Sequence, residues 1–253
     1  MYYYIKGETM KNKLKAFTLA EVLITLTILG VIAAITLPAL KGVADKIAWA
    51  KGLAVNSNII KDGFERMLAH NEADTLDLTP LWTRAYENDE LADKLKDELK
   101  KYFVFEKFET QDEDPYTVLE YNGTTFNNIS GYKLYMSNGA IINFDHKNIV
   151  TKENCETIKE NGGHLCESAA YIIVDVNGKQ GPNTLGKDIF GFYLGKDANL
   201  YPDGGKDVYL YEGEEEESSI PQWDTKDGCQ GKIPVNGLSC TARVVEEGYR
   251  INY

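Results

Sequence analysis

The chain is short of positive charge: 27 lysines and arginines stand against 39 aspartates and glutamates, a formal net charge of −12 over 253 residues. That balance excludes a general nucleic-acid surface, which needs a basic patch to neutralise phosphates, and no nucleic-acid partner is expected. Histidine is scarce. His70, His146 and His164 have neither metal-ligand spacing nor a catalytic partner nearby, and each reads as a surface or loop residue. No serine sits in a Gly-x-Ser-x-Gly setting and no phosphate-binding glycine loop follows a strand, so the chain is read as a protein that is not an enzyme. There is no internal repeat, and no linker long enough to set apart a second globular domain. Cysteine is limited to four residues, none in a CxxC pair, which leaves zinc a poor alternative to disulfides.

What the chain does have is one long apolar run. From Phe17 to Leu40 its only charged residue is Glu21. At ~1.5 Å per residue these positions make a helix of about 36 Å, enough to cross the hydrocarbon core of a bilayer. Lys6, Lys11, Lys13 and Lys15 precede the run against a single acid, Glu8; that excess holds the N-terminal flank in the cytoplasm and puts the remainder outside. An ordinary secretory signal has a shorter core followed by a small-residue cleavage site, whereas Ala33-Ala34 lies inside this run with no polar segment after it. No cysteine follows closely enough for lipoprotein processing. A plain anchor accounts for length and lysines, but not for Glu21, which is costly in hydrocarbon without a partner.

The residues around that carboxylate, Phe17-Thr18-Leu19-Ala20-Glu21 followed by Val22-Leu23, resemble the type IV pilins and type II secretion pseudopilins with their class III signal peptide. Pro38 and Gly30 match a helix-bending proline and a helix-weakening glycine of that family. The resemblance covers about residues 11–45. It implies cleavage by a prepilin peptidase between Ala16 and Phe17, where Ala16 replaces the usual glycine, and N-methylation of Phe17. It divides the chain into a cleaved cytoplasmic leader (1–16), a transmembrane and assembly helix (17–40) and a periplasmic or extracellular globular domain (41–253). Loss of the leader removes four lysines and one glutamate, taking the side-chain charge from −12 to −15. The implied function is that of a structural subunit. It enters the bacterial inner membrane, meets the inner-membrane assembly platform, and polymerises with itself and other pilin-like subunits into a pseudopilus or pilus. Glu21 would pair with the Phe17 amine of a neighbouring subunit, a strong interaction only where both charges lack other partners. The alternative is a minor tip subunit that binds a surface, a sugar or DNA.

Beyond Pro38, Val43, Ile47, Ala50, Ala54, Ile60, Phe64 and Met67 recur at helical steps, predicting an amphipathic helix to about Leu68. A second helical stretch opens at Thr79-Pro80, with Leu81, Ala85, Leu91, Leu95 and Leu99 as its apolar face. From Tyr102 the pattern turns to strands: Thr117–Tyr121, Tyr132–Met136, Ala140–Asp145, Ala169–Val176 and Ile189–Leu194. Ser137-Asn138-Gly139 marks a hairpin, because Asn-Gly supplies positive φ angles. Tyr132, Tyr135, Tyr171 and Tyr193 are expected to line a helix–sheet core. The last fifty residues are glycine-rich and polar, and the acidic run Glu214–Glu217 among them reads as a solvated loop. The predicted class is α+β: a long bent N-terminal helix on an antiparallel sheet, reached from periodicity alone.

The cysteines fall into two equally spaced pairs, Cys155 with Cys166 and Cys229 with Cys240, in a compartment where disulfides persist. Local pairing is one of three possible connectivities. In the segment from Asp175 to Asp188, the side chains of Asp175, Asn177 and Asp188 offer hard oxygen ligands for calcium, similar to the acidic loop of some major pseudopilins. The competing reading is a tight loop in which Asp and Asn cap their own backbone.

Overall fold

The computed structural model describes residues 17–83, 91–110, 117–126, 129, 131–145, 168–206, 208, 222–226, 228–230 and 237–253. The chain divides into two compact units, Met1–Ala44 and Asp45–Tyr253. Helix α1 covers Leu19–Asn71, with Pro38 inside it. Short helices α2 (Pro80–Thr83) and α3 (Leu91–Leu99) follow. Among the described residues, eight strands come next: β1 (Phe105–Glu109), β2 (Val118–Leu119), β3 (Thr125–Phe126), β4 (Tyr132–Met136), β5 (Ile141–Asp145), β6 (Ser168–Asp175), β7 (Ile189–Gly195) and β8 (Leu200–Pro202). Helix α4 (Cys240–Glu246) completes the described elements. Six strands form one antiparallel sheet in the order β1-β4-β5-β6-β7-β8, and β2 pairs with β3. This is the α+β, pilin-like arrangement of a long N-terminal helix followed by an antiparallel sheet.

In the second unit, the stripe Ala50, Leu53, Ile60, Phe64 and Met67 is buried, stepping by three, four or seven residues along one side of α1. It packs in one cluster with Leu134, Ile142, Phe144, Ile172, Val174, Phe190 and Phe192 of the sheet. Apart from Ala50, each such side chain contributes about 1.5–3 kcal/mol on leaving water. Ile47, expected on this stripe, is 52 % exposed, and Val43 of the first unit is 60 % exposed. Gly63 is where helix and core come closest. A Cβ built there would lie 2.1 Å from the Phe103 ring, so this mid-helix glycine exchanges helix propensity for contact.

Two polar residues cross the same interface. Asn56, 1 % exposed, donates from Nδ2 to the Gly52 carbonyl at 2.8 Å and accepts from Asn138 Nδ2 at 2.9 Å. Asn138 sits in the β4–β5 turn, where Gly139 has φ +89° and Gly139 N–H donates to the Met136 carbonyl. The Asn-Gly pair therefore makes the hairpin and also pins it to the helix. Ser57 meets the Tyr249 hydroxyl at 3.2 Å.

Strand alternation corrects the expectation for three tyrosines: Tyr135 lies between Leu134 and Met136 of the helix-facing cluster and so turns to the opposite face, as do Tyr171 and Tyr193. Ile172 and Val174 face α1, so Tyr171 and Ile173 face the other way, in a second cluster with Val118, Leu185 and Ile189 against which Tyr193 packs. Within the glycine-rich, polar C-terminal stretch, where no element is expected from the sequence, Cys240–Glu246 is helical. The acidic run 214–217 and Ala85 lie outside the described residues.

Candidate functional site

The segment that begins at Phe17 carries the features with functional content. Thr18 precedes α1 and makes a reciprocal cap with Glu21. Thr18 N–H and Oγ1 donate to Glu21 Oε2 at 2.9 and 2.8 Å, and Glu21 N–H donates back to Thr18 Oγ1 at 3.2 Å. This is a capping box, and it satisfies helix-end donors that would otherwise be orphaned. Thr18 was not singled out from the sequence, although Thr-x-x-Glu ahead of an apolar run is the signature of such a cap.

Beyond the cap the helix satisfies itself. Thr25, Thr27 and Thr36 hydroxyls donate to the carbonyls of Val22, Leu23 and Ile32 at 2.8 to 3.0 Å, which leaves no side-chain donor of these threonines bare in an apolar medium. Phe17, Leu19, Leu26, Leu29, Ile35 and Leu37 are all more than half exposed. The apolar part of this helix is nowhere buried, and among the described residues α1 is the one helix long and apolar enough to cross a membrane. Pro38 lacks the N–H that would bond to the Ala34 carbonyl, yet α1 is assigned on both sides of it.

A sequence profile for the prokaryotic N-terminal methylation motif matches residues 11–37. The chain carries that motif. It is the class III signal peptide of type IV pilins and type II secretion pseudopilins, so it points to a pilin-type structural subunit, processed by a prepilin peptidase and assembled as a polymer. The motif and the apolar helix fit inner-membrane anchoring. No curated protein and no solved structure matches the chain. Ala16, on the leader side of the implied cut, lies outside the described residues.

The other sequence candidates fall in the second unit. Cys229 and Cys240, both fully buried, are at disulfide distance with Cα atoms 4.9 Å apart, tying the loop around Cys229 to the start of α4. Arg243 reinforces the tie by donating to the Cys229 carbonyl at 2.8 Å. Cys155 and Cys166 lie outside the described residues. His70 Nδ1 meets the Tyr102 hydroxyl at 2.8 Å, and His146 and His164 are not among the described residues.

Asp188 is fully buried, and its two carboxylate oxygens accept from the N–H groups of Asn183 and Thr184 at 2.8 and 2.7 Å. Asp175 Oδ1 accepts from Asn177 N–H at 3.2 Å, and the Asn177 amide donates to the Gln180 carbonyl. Both Asp188 oxygens and Asp175 Oδ1 thus accept from the loop's own backbone, whereas Asn177 Oδ1 is buried with no hydrogen-bond partner among the described residues. Among those residues no group of three or more His, Cys, Asp or Glu is placed to hold a metal. Burial raises the Asp188 pKa, against the lowering effect of those backbone donors.

A buried acid that sequence reasoning missed is Asp203, just past β8. Its Oδ2 accepts from the Tyr171 hydroxyl, while Oδ1 finds no hydrogen-bond partner among the described residues. Its main chain joins sheet to C-terminal helix: N–H to the Gly191 carbonyl, and carbonyl from Ala242 N–H, both at 3.0 Å. Burial pushes this carboxyl up to about 6, with the Tyr171 bond pulling weakly the other way. Burial likewise raises the Tyr171 and Tyr193 phenols.

Proposed function

We propose that this chain is a prepilin-like subunit, cut between Ala16 and Phe17, N-methylated on Phe17 and polymerised through its N-terminal helix into a type II secretion pseudopilus or a type IV pilus. The observation that carries the reading is the exposed apolar stretch 17–40 whose one charge, Glu21, is held among the described residues by Thr18. In a membrane that carboxylate is expensive. The amine freed on Phe17 by cleavage would offer it a stronger partner on a neighbouring subunit, which ties assembly to processing and fixes axial register. The lysine-rich flank stays cytoplasmic and the second unit faces outward, where the disulfides form. Partners are the prepilin peptidase, the inner-membrane assembly platform and other pilin-like subunits. Intact-mass analysis of membrane-extracted protein is expected to show loss of residues 1–16 and gain of one methyl group. Retention of Met1 in cells with an active prepilin peptidase overturns the reading.

A further inference from the structure

The β2–β3 hairpin turns through Glu120-Tyr121-Asn122-Gly123-Thr124, and its tip residues Asn122, Gly123 and Thr124 are all exposed. The turn is closed by Gly123 N–H to the Glu120 carbonyl at 2.9 Å and Glu120 N–H to the Thr124 carbonyl at 2.8 Å, with Gly123 at φ +89°. Asn122 Oδ1 accepts from both the N–H and the hydroxyl of Thr124, each at 2.8 Å. The same hydroxyl lies 3.3 Å from Glu120 Oε2. The tripeptide Asn-Gly-Thr is an acceptor sequence for N-linked glycans, which require a hydroxyl two residues after the asparagine and no intervening proline. Here hydroxyl, amide and acid are gathered at one turn with an exposed tip, and Nδ2 makes no hydrogen bond to the described residues.

We infer that Asn122 is an N-glycosylation site, taken by a membrane oligosaccharyltransferase that reads acid-x-Asn-x-Thr, with Glu120 as the acid. The site rests on the outward placement of the second unit proposed above. In the transfer, Nδ2 of Asn122 forms a bond to the anomeric carbon of a polyprenyl-diphosphate-linked oligosaccharide. The bond from that carbon to the phosphate oxygen breaks, the polyprenyl diphosphate leaves with the electron pair, and one Nδ2 proton passes to a base. Nothing is oxidised or reduced. An amide nitrogen is a weak nucleophile because its lone pair is shared with Oδ1. A transferase therefore has to take a proton from Nδ2 or turn the amide out of conjugation, and the two hydrogen bonds that Thr124 gives to Oδ1 make those Nδ2 protons more acidic. The tip projects from a hairpin with only two residues per strand, so an enzyme can enclose it without opening the main sheet. A second tripeptide, Asn128-Ile129-Ser130, has Phe126 two residues ahead of the asparagine in place of an acid, and it serves as an internal comparison.

The test expresses the full chain in a bacterium that carries a prepilin peptidase, a single-subunit oligosaccharyltransferase, its lipid-linked donor and a control acceptor protein. Glycopeptide mass spectrometry is then run on the wild type and on Asn122→Gln, Thr124→Ala, Glu120→Gln and Asn128→Gln. Wild type and Asn128→Gln are expected to carry the donor glycan on the Asn122 peptide. Asn122→Gln, Thr124→Ala and Glu120→Gln are expected to lose it. An unmodified Asn122 peptide, or a glycan on Asn128 alone, in cells that glycosylate the control overturns the inference. If Phe17 is methylated in that sample, the subunit reading stands while the glycan inference falls. If residues 1–16 are retained as well, both fall.

Discussion

The buried Asp203 makes the stability of this protein depend on pH in an unusual direction. A carboxyl raised from an ordinary value near 3.8 to about 6 holds its proton more tightly folded than unfolded. The stabilisation is full below the unfolded value and is lost as pH rises through 6. The shift of about two pH units corresponds to about 3 kcal/mol between pH 4 and pH 7.5. Structurally, the neutral acid keeps the Tyr171 hydrogen bond at no charge cost. The carboxylate leaves Oδ1 buried and unmatched, a more expensive state. The net charge of −12 adds self-repulsion with the same sign, so wild type alone does not isolate the effect. The difference between wild type and Asp203→Asn does, because asparagine keeps an acceptor for Tyr171 and does not titrate. Urea unfolding of the detergent-solubilised full chain is expected to show the variant gaining on wild type by about 1.4 kcal/mol per pH unit between pH 4 and 6, then levelling. Two parallel pH profiles would refute the reasoning.

Two further outcomes follow from the second unit. Replacing Cys229 and Cys240 together by serine is expected to cost about 3 kcal/mol in the same urea assay, since the bridge closes a loop with a sequence separation of 11, and non-reducing peptide maps should link the two. Equal stability with and without reductant in the wild type would contradict this. Asp188→Ala is expected to cost about 3 kcal/mol through two lost charge-assisted bonds, with the same fall in Tm in calcium and in chelator. A Tm that rises with calcium in the wild type and not in the variant would instead make the loop a cation site.

Much of this was legible in sequence, for reasons that differ by element. The N-terminal helix announces itself because apolarity over that length has few other uses. The Asn138-Gly139 turn does so because few residue pairs accept its backbone angles. β6 was found from its apolar centre, yet alternation only says that Tyr171 and Ile173 share a face, not which face meets the helix. The drift of a 3.6-residue period put Ile47 on the buried stripe when Leu53, Asn56 and Ser57 occupy it. β1 reads Phe-Glu-Lys-Phe-Glu, whose charges mask a strand. α4 has seven residues and no side-chain cap, and it is held by tertiary contacts and Cys229 rather than by local propensity. Asp203 gave no signal, since its burial is a property of the three strands and one helix around it.

The order of the main sheet leaves β1 and β8 as its margins. An open margin is a row of unused main-chain donors and acceptors on which another chain can crystallise. Here one margin carries Glu106 and Lys107, both exposed, and the other is three residues long and ends at Pro202, which has no N–H to give. Copies of this domain crowded side by side are thereby discouraged from fusing sheet to sheet. On the proposed assembly, that blunting leaves the contacts between subunits to the N-terminal helix.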